Sequence, residues 1–424
     1  MNNEQSIAFH TLGCKLNFSE TSTLSRLFDQ EGFQKKEFNQ EADVYVINTC
    51  SVTENADKEC KQLIRKVKKQ NPNSTVVITG CYAQLKSEQI AQMDGVDIVI
   101  GAGEKYNIVE HLKTYKKNGT AKICSCDIDD VEGFHSSFSL NDRTRTFLKV
   151  QDGCDYSCTF CTIPLARGHS RSDTIQGVID NVKELQQTGI QEIVLTGVNL
   201  GDFGKGFNGN RQHEEGFYDL VTALDQQTTI PRYRISSIEP NLLTNEIIDY
   251  VAKSKHFMPH FHIPLQSGSN TLLALMKRRY RRELYADRVA TIKSLMPHCC
   301  IGVDVIVGFP GETDTLFQET YDFLHGLDIS YLHVFTYSER ENTPAIEMED
   351  VVPMHIRKER NARLRDLSEK KMNYFTEQHL GQTRAVLFEQ SEKKGMMEGY
   401  SDNYIKVSVP FNEDWVNKIV NVIL

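Results

Sequence analysis

Three cysteines stand four and three residues apart in the segment Gly153-Cys154-Asp155-Tyr156-Ser157-Cys158-Thr159-Phe160-Cys161. They are too close together to be core residues of one regular element. Iron–sulfur clusters are held by thiolates, and cubane clusters ordinarily take four. A short loop that supplies three leaves one iron without a protein ligand. Such an iron can bind a substrate or cofactor, by the logic of the open position on a catalytic zinc. A zinc site is the other reading, and the sequence offers it no recognisable fourth ligand. Three more cysteines stand in TLGCKLN (Cys14), INTCSVT (Cys50) and TGCYAQ (Cys81), separated by 36 and 31 residues. Taken singly, each could be an ordinary buried core cysteine.

The elements around these residues give the spacing its meaning. Ile7 to Thr11, Val44 to Ile47, Thr75 to Thr79 and Val96 to Ile100 read as strands, with helices over 19–30 and 56–70 between them. Strands alternating with helices predict parallel crossovers. Cys14, Cys50 and Cys81 each follow a strand, and in an open parallel sheet the carboxyl ends of strands share one crevice. The three thiols are therefore expected to converge. A second alternating run supplies strands at 146–150, 192–198, 232–238, 260–265, 302–308 and 331–337. Helices are expected over 174–188, 217–227, 244–254, 271–296 and 313–327. Repeats of roughly 40 residues in this layout predict a full or partial β/α barrel with its chemistry at the C-terminal strand ends. The CxxxCxxC loop follows the first of those strands. A charged helix over 353–380 leads to short strands with Gly and Asn turns, a small all-β module.

The expected class is α/β, with an N-terminal unit over 1–118, a linker over 119–141, a barrel over 142–370 and the small module over 371–424. The linker is expected to hold at most one hairpin, and the glycine-rich loop Gly204 to Gly216 carries no readable purpose. The chain has 424 residues, a mean hydropathy of -0.42 and no apolar run long enough to span a bilayer. Its N-terminus, MNNEQSIAFH, lacks the basic head and apolar run of a signal peptide, so cytoplasmic residence is expected. The 11 cysteines, odd in number and widely spread, do not fit a secreted disulfide scaffold. Five have no expected role: Cys60 on a Lys-rich helix, Cys299 and Cys300 before a barrel strand, and the Cys124-x-Cys126 pair in the linker.

CDYSCTFC on such a barrel resembles the radical S-adenosylmethionine superfamily. The full set of TLGCKLN, NTCSVT, GCYAQ, CxxxCxxC and a C-terminal β module resembles the methylthiotransferases within it, over essentially the whole chain. TLGCKLNFSE, NTCSVTENADKE, LTGVNLGDFG and RISSIEP look closest to the branch acting on threonylcarbamoyladenosine at tRNA position 37. The resemblance implies an N-terminal open parallel α/β domain, a partial (β/α)6 barrel and a TRAM-like barrel. It implies two [4Fe-4S] clusters and S-adenosylmethionine. Cys154, Cys158 and Cys161 would hold the cluster that binds S-adenosylmethionine, whose reductive cleavage gives a radical that takes hydrogen from carbon 2 of the adenine. Cys14, Cys50 and Cys81 would hold an auxiliary cluster that carries the sulfur. Cofactor contacts are expected at barrel strand ends: Thr196, Gly197 and Asn199; Ser236 and Glu239; Gln266; Asp304 and Gly308. Two of these have plainer readings, Ser236 as a helix cap and Gly308 as part of a Gly-Phe-Pro-Gly turn.

Expected partners are the tRNA anticodon loop and an electron-donor protein; no membrane partner is expected, and the chain is expected to be a monomer. The formal charge of -9 argues against indiscriminate nucleic-acid binding. Local basic clusters run against it: KQLIRKVKK from Lys61, KRRYRR from Lys277 and RKERNARLR from Arg357. In KRRYRR five cations flank one aromatic, which suits phosphate contact with base stacking; a solvated helix face is the alternative. Residues 381–424 carry five basic and six acidic side chains, so RNA contact there would need one face, with Lys393, Lys394, Tyr400 and Tyr404. Isopentenyladenosine in tRNA and an aspartate of a ribosomal protein are the alternative substrates. The first wants an apolar pocket, whereas threonylcarbamoyl carries a carboxylate and wants a cation, for which Arg340 is the candidate.

Overall fold

A computed structural model describes residues 5–50, 54–140, 144–205 and 215–424. Most of the Gly204–Gly216 loop lies outside these residues. Six parallel strands make the first sheet, in the spatial order Gln34–Lys36, Ser6–Thr11, Val44–Thr49, Thr75–Gly80, Ile98–Ile100 and Lys122–Cys124. The central strand Val44–Thr49 is buried along its whole length, which is why its sequence reads as one continuous run rather than an alternation. Both edge strands escape the sequence reading. Gln34–Lys36 has no apolar residue, and Lys122–Cys124 lies in the expected linker with Ile123 exposed. The linker thus gives the first sheet its last strand. Farther on, Ser137–Phe138 pairs antiparallel with the first barrel strand.

Six further parallel strands follow one another in chain order around an arc: Thr146–Lys149, Glu192–Thr196, Arg232–Ile235, His260–His262, Cys300–Val307 and Tyr331–Thr336. A bridge between Tyr233 and Phe257 joins the two halves of the arc. Thr174, Thr244 and Thr313 cap three of the outer helices, each accepting from the backbone N–H three residues on. The helix expected over 271–296 is two helices, Asn270–Leu275 and Arg282–Leu295. Between them Lys277 takes a positive φ, and Tyr280 turns inward to donate to the carbonyls of Pro264 and Leu265 at 2.8 and 2.7 Å. Tyr280 is therefore buried and cannot serve as a base-stacking platform.

Helix Met354–Glu377 ties the barrel to the last sheet. Leu364 and Leu367 join the barrel core, whereas Phe375 packs with Ile405. The expected divide at 370/371 falls inside it. Two cations of its basic run are spent internally: Arg357 bonds to Val352, Tyr337 and Glu339, and Arg360 to Glu312 and Asp314, whereas Lys358, Arg363 and Arg365 are exposed. The last sheet is antiparallel, in the order Lys406–Pro410, Met396–Ser401, Thr383–Lys393 and Ile419–Ile423. Tyr400 and Tyr404 face the barrel rather than solvent. Tyr404 stacks on His260 with ring centres 4.2 Å apart, and Arg145 lies over Tyr400 at 4.4 Å. The side chain of Lys393 lies outside the described residues. Among the described residues no helix is long and apolar enough to cross a membrane.

The first sheet meets the barrel through buried charge. Arg167 donates to Asn17 at 2.7 Å, Glu20 at 3.0 Å and Asp152 at 2.8 Å. Lys105 pairs with Glu20 at 2.6 Å, and Lys149 reaches Glu20 at 3.4 Å and Asp152 at 3.2 Å. Breaking such a set exposes the remaining charges to a low-dielectric interior. Arg167→Met is therefore expected to destabilise the chain by about 3–5 kcal/mol, read as a lower urea midpoint. Burial alone would raise the Glu20 carboxyl, but Arg167, Lys105 and Lys149 outweigh it and hold it well below its ordinary 4.5. A depressed carboxyl contributes stability that is complete above that ordinary value and is lost as pH falls beneath it. Glu20→Gln should accordingly flatten the acid limb of the stability–pH curve; a limb as steep as the parent's would contradict this account.

Candidate active site: two thiol triads on either side of the seam

The CxxxCxxC loop is fixed at its base. Gln151–Asp152 pairs with Arg171–Ser172, and the Cys154 amide donates to the Gly168 carbonyl at 3.0 Å. Farther along, Thr159 bonds through its amide and hydroxyl to the carbonyls of Met276 and Leu275. Cys154, Cys158 and Cys161 line one cavity of about 320 Å³, with Asn199, Glu239, Gln266 and Asp304 on its polar wall and Phe160, Ile306 and Phe335 among its apolar lining. Burial pushes Cys154 and Cys161 up to about 12, so as neutral thiols they wait for a cation. Burial also raises Cys158, opposed by Arg278, which donates to its sulfur at 3.1 Å and pairs with Glu239. The Asn199 side-chain oxygen is buried at this wall and has no hydrogen-bond partner among the described residues. It is an acceptor awaiting a donor, such as an amino group.

The second triad comes from the strand ends of the first sheet. Gly13, at φ +102°, brings Cys14 against Cys50; a Cβ on Gly13 would lie 2.8 Å from the Cys50 sulfur. Gly80, at φ +98°, lets the strand before Cys81 close on its neighbour, where a Cβ would sit 2.3 Å from the Thr49 carbonyl oxygen. Asn17 ties the strand ends together by donating to the carbonyls of Leu12 and Thr49 at 2.8 and 3.0 Å. Cys14 and Cys81 both feel the Arg167 charge; burial raises the Cys14 thiol and Arg167 opposes it. Three buried cations, Lys105, Lys149 and Arg167, with Arg171 at their edge, face two carboxylates, Glu20 and Asp152, so the seam is net positive beside these sulfurs.

Cys14 and Lys15 open onto a second cavity, of about 480 Å³, inside the barrel arc. Arg145, Arg234, His260, His262 and His333 line it, and it shares Ser237 and Asp304 with the first cavity. His262 meets Asp304 at 2.9 Å. Burial and then Arg145 lower the Lys15 ammonium to about 8, with Asp304 opposing. The expected cofactor residues divide between the two spaces. Asn199, Glu239, Gln266 and Asp304 line the first, whereas Thr196, Gly197 and Ser236 line only the second. Gly308 lines neither; its amide donates to Glu312 and it packs on Arg357. Arg340 lies on the first cavity, away from the auxiliary thiols. Cys124 is a buried strand residue and Cys126 is exposed. Sequence reasoning missed Arg278 as a thiol partner, because its run of cations reads as surface. Lys15, Arg145 and Arg167 carry no local signal at all.

Residues 6–101 match the family described as "Uncharacterized protein family UPF0004", and residues 148–324 match the Radical SAM superfamily. The chain is 41% identical over 98% of its length to "Threonylcarbamoyladenosine tRNA methylthiotransferase MtaB" of Bacillus subtilis, covering 93% of that protein. It is 38% identical to the Aquifex aeolicus protein of the same name, over 99% of this chain and 100% of that one. The chain belongs to the radical S-adenosylmethionine methylthiotransferase family. A Staphylococcus aureus family member, "tRNA-2-methylthio-N(6)-dimethylallyladenosine synthase", is 31% identical over 100% of this chain and 83% of its own. Among solved structures, the radical S-adenosylmethionine methyltransferase TsrM of Kitasatospora setae superposes with a TM-score of 0.59 at 14% identity, covering 81% of this chain and 77% of that one.

Methylthiotransferases of this family use S-adenosylmethionine and two [4Fe-4S] clusters. Among the described residues no three His, Cys, Asp or Glu side chains converge tightly enough to hold a single metal ion. A cubane cluster asks for something different, since its thiolates bind separate irons and stand apart. Each triad fits that demand: three thiols and a nearby guanidinium, with a cavity along all three thiols of the loop triad and along Cys14 of the other. Gly80→Ala would force apart the strand ends that set Cys50 and Cys81. The expected result is about half the parent's iron per chain after reconstitution, with S-adenosylmethionine cleavage retained; full iron content would contradict the role given to Gly80.

Proposed function

We propose that the protein adds a methylthio group to carbon 2 of N6-threonylcarbamoyladenosine at position 37 of tRNA, reached through the anticodon loop. In this reading Cys154, Cys158 and Cys161 hold the cluster that binds S-adenosylmethionine, and Cys14, Cys50 and Cys81 hold the auxiliary cluster. One observation carries it: the cysteine-loop triad and Cys14 of the second triad open onto adjoining cavities joined at Ser237 and Asp304. A base seated at that junction meets both sources of chemistry without leaving the barrel.

When bound, the cofactors supply reductive cleavage of S-adenosylmethionine, radical hydrogen abstraction from carbon 2 and a sulfur to replace that hydrogen. The chain does the rest. Asn199 would accept from the methionyl amino group, and Gln266 and Asp304 would offer polar contacts along the same wall. Arg278, buried against Cys158 and Glu239, balances negative charge on the thiolates. Phe160, Ile306 and Phe335 line the same cavity with apolar surface that would help exclude water from the bound cofactor. A groove of about 870 Å³ between helix Met354–Glu377 and the last sheet shares Tyr331, His333 and Tyr404 with the second cavity, and so gives an extruded base a way in.

The substrate branch is supported by the relatives named for threonylcarbamoyladenosine, at 41% and 38% identity against 31% for the dimethylallyl enzyme. The cationic lining of the second cavity favours it too, since an isopentenyl chain would seek an apolar wall. A protein electron donor completes the reading. The test is mass spectrometry of tRNA nucleosides from cells with and without this gene. Loss of the methylthio mark from threonylcarbamoyladenosine alone is expected; loss from isopentenyladenosine would overturn the branch. In the purified enzyme, Cys158→Ala should abolish S-adenosylmethionine cleavage. Cys50→Ala should keep cleavage and lose methylthiolation.

A further inference from the structure

We infer that Lys15, backed by Arg145, is the subsite for the carboxylate of the threonylcarbamoyl group, and that it separates an acidic substrate base from an apolar one. The inference rests on the substrate reading above and deepens it. Lys15 directly follows Cys14 at the start of helix Lys15–Gln30 and faces the 480 Å³ cavity. The other cations of that cavity are already engaged. Arg234 makes a two-pronged pair with Glu192 at 3.0 and 3.1 Å. Arg145 pairs with Glu389 at 3.0 Å while lying over Tyr400. His262 meets Asp304, and His260 shares a hydrogen bond with the Tyr331 hydroxyl at 3.1 Å.

The Lys15 ammonium, by contrast, has no hydrogen-bond or ion-pair partner among the described residues. Lys15 is exposed along this cavity, so its ammonium is open to an anion brought in by a ligand. The same cavity meets the cysteine-loop cavity at Ser237 and Asp304. A base presented at that junction can leave its N6 substituent on the Lys15 side. An ammonium and a carboxylate brought together there form a charge-assisted bond. An isopentenyl chain would leave the cation unanswered and be disfavoured. Arg340, the candidate from sequence, lines the other cavity.

The test is anaerobic binding of the reconstituted full chain to three anticodon stem-loops. One carries threonylcarbamoyl with a free carboxylate, one carries the same group blocked as the methylamide, and one carries isopentenyl. The parent enzyme is expected to prefer the free acid over the amide by about tenfold or more. Lys15→Gln should erase that preference, and Lys15→Arg should restore most of it. Iron content is measured alongside, and binding is scored on the cluster-loaded fraction because it needs no turnover. Equal binding of acid and amide by the parent, or a parent-like preference in Lys15→Gln, overturns the assignment. If the parent methylthiolates the threonylcarbamoyl stem-loop without distinguishing acid from amide, only the Lys15 subsite fails. If it ignores that stem-loop and modifies the isopentenyl one, the substrate reading fails as well.

Discussion

Five buried charges at one seam hold the two halves of this enzyme in register. Glu20 comes from the first helix, Lys105 from beyond the fifth strand of the first sheet, and Lys149, Asp152 and Arg167 from the barrel. None could be buried alone, since the desolvation cost of each exceeds what one neighbour returns. Together they form a closed set in which Arg167 touches both carboxylates and Asn17. The set also fixes chemistry. Arg167 sits under the strand ends that carry Cys14 and Cys81, while Asp152 lies two residues before the cysteine loop. One guanidinium thereby spans the base of both triads, and a shift at the seam moves both.

The two triads are built by different means. In the barrel, a single loop supplies all three thiols, so local turn geometry suffices. In the first sheet the thiols are far apart in sequence, and only parallel register brings them together: Asn48 stands opposite Thr11 and Thr79, so Cys14, Cys50 and Cys81 all emerge at one edge. That arrangement needs close backbone approach, which is why glycines precede two of the three cysteines. The auxiliary side is consequently the more fragile of the two. It depends on tertiary packing and on the seam, whereas the loop triad is braced by its own hydrogen bonds and by Thr159 against Met276 and Leu275.

What was legible in the sequence follows from the same contrast. Buried parallel strands announce themselves as apolar runs, and the six cysteines announce themselves by spacing and by position at strand ends. Edge strands do not; Gln34–Lys36 is wholly polar because it buries almost nothing. Nor do residues whose environment comes from distant chain. Arg278 and Tyr280 look like an exposed basic helix until the break at Lys277 turns them inward toward Cys158, Pro264 and Leu265. Gly308, expected from its strand end to meet a cofactor, packs on Arg357 and lines neither cavity.

The basic clusters sharpen this point into a statement about how the enzyme meets a polyanion. Arg357 and Arg360 are buried partners of Glu339, Glu312 and Asp314, and Arg278 partners Glu239. Cations already paired in this way release no counterions when nucleic acid arrives, so they add nothing to long-range attraction. What remains exposed in these clusters is Lys61, Arg65, Lys66 and Lys69 on helix Glu54–Gln70, Lys277, Arg279 and Arg281 beside the cysteine loop, and Lys358, Arg363 and Arg365 on helix Met354–Glu377. With a formal charge of -9 behind them, these cations can orient an RNA but cannot hold it indiscriminately. Discrimination must then come from the base that enters the barrel. A weakly attractive exterior with a cationic interior is the charge arrangement that such selection requires.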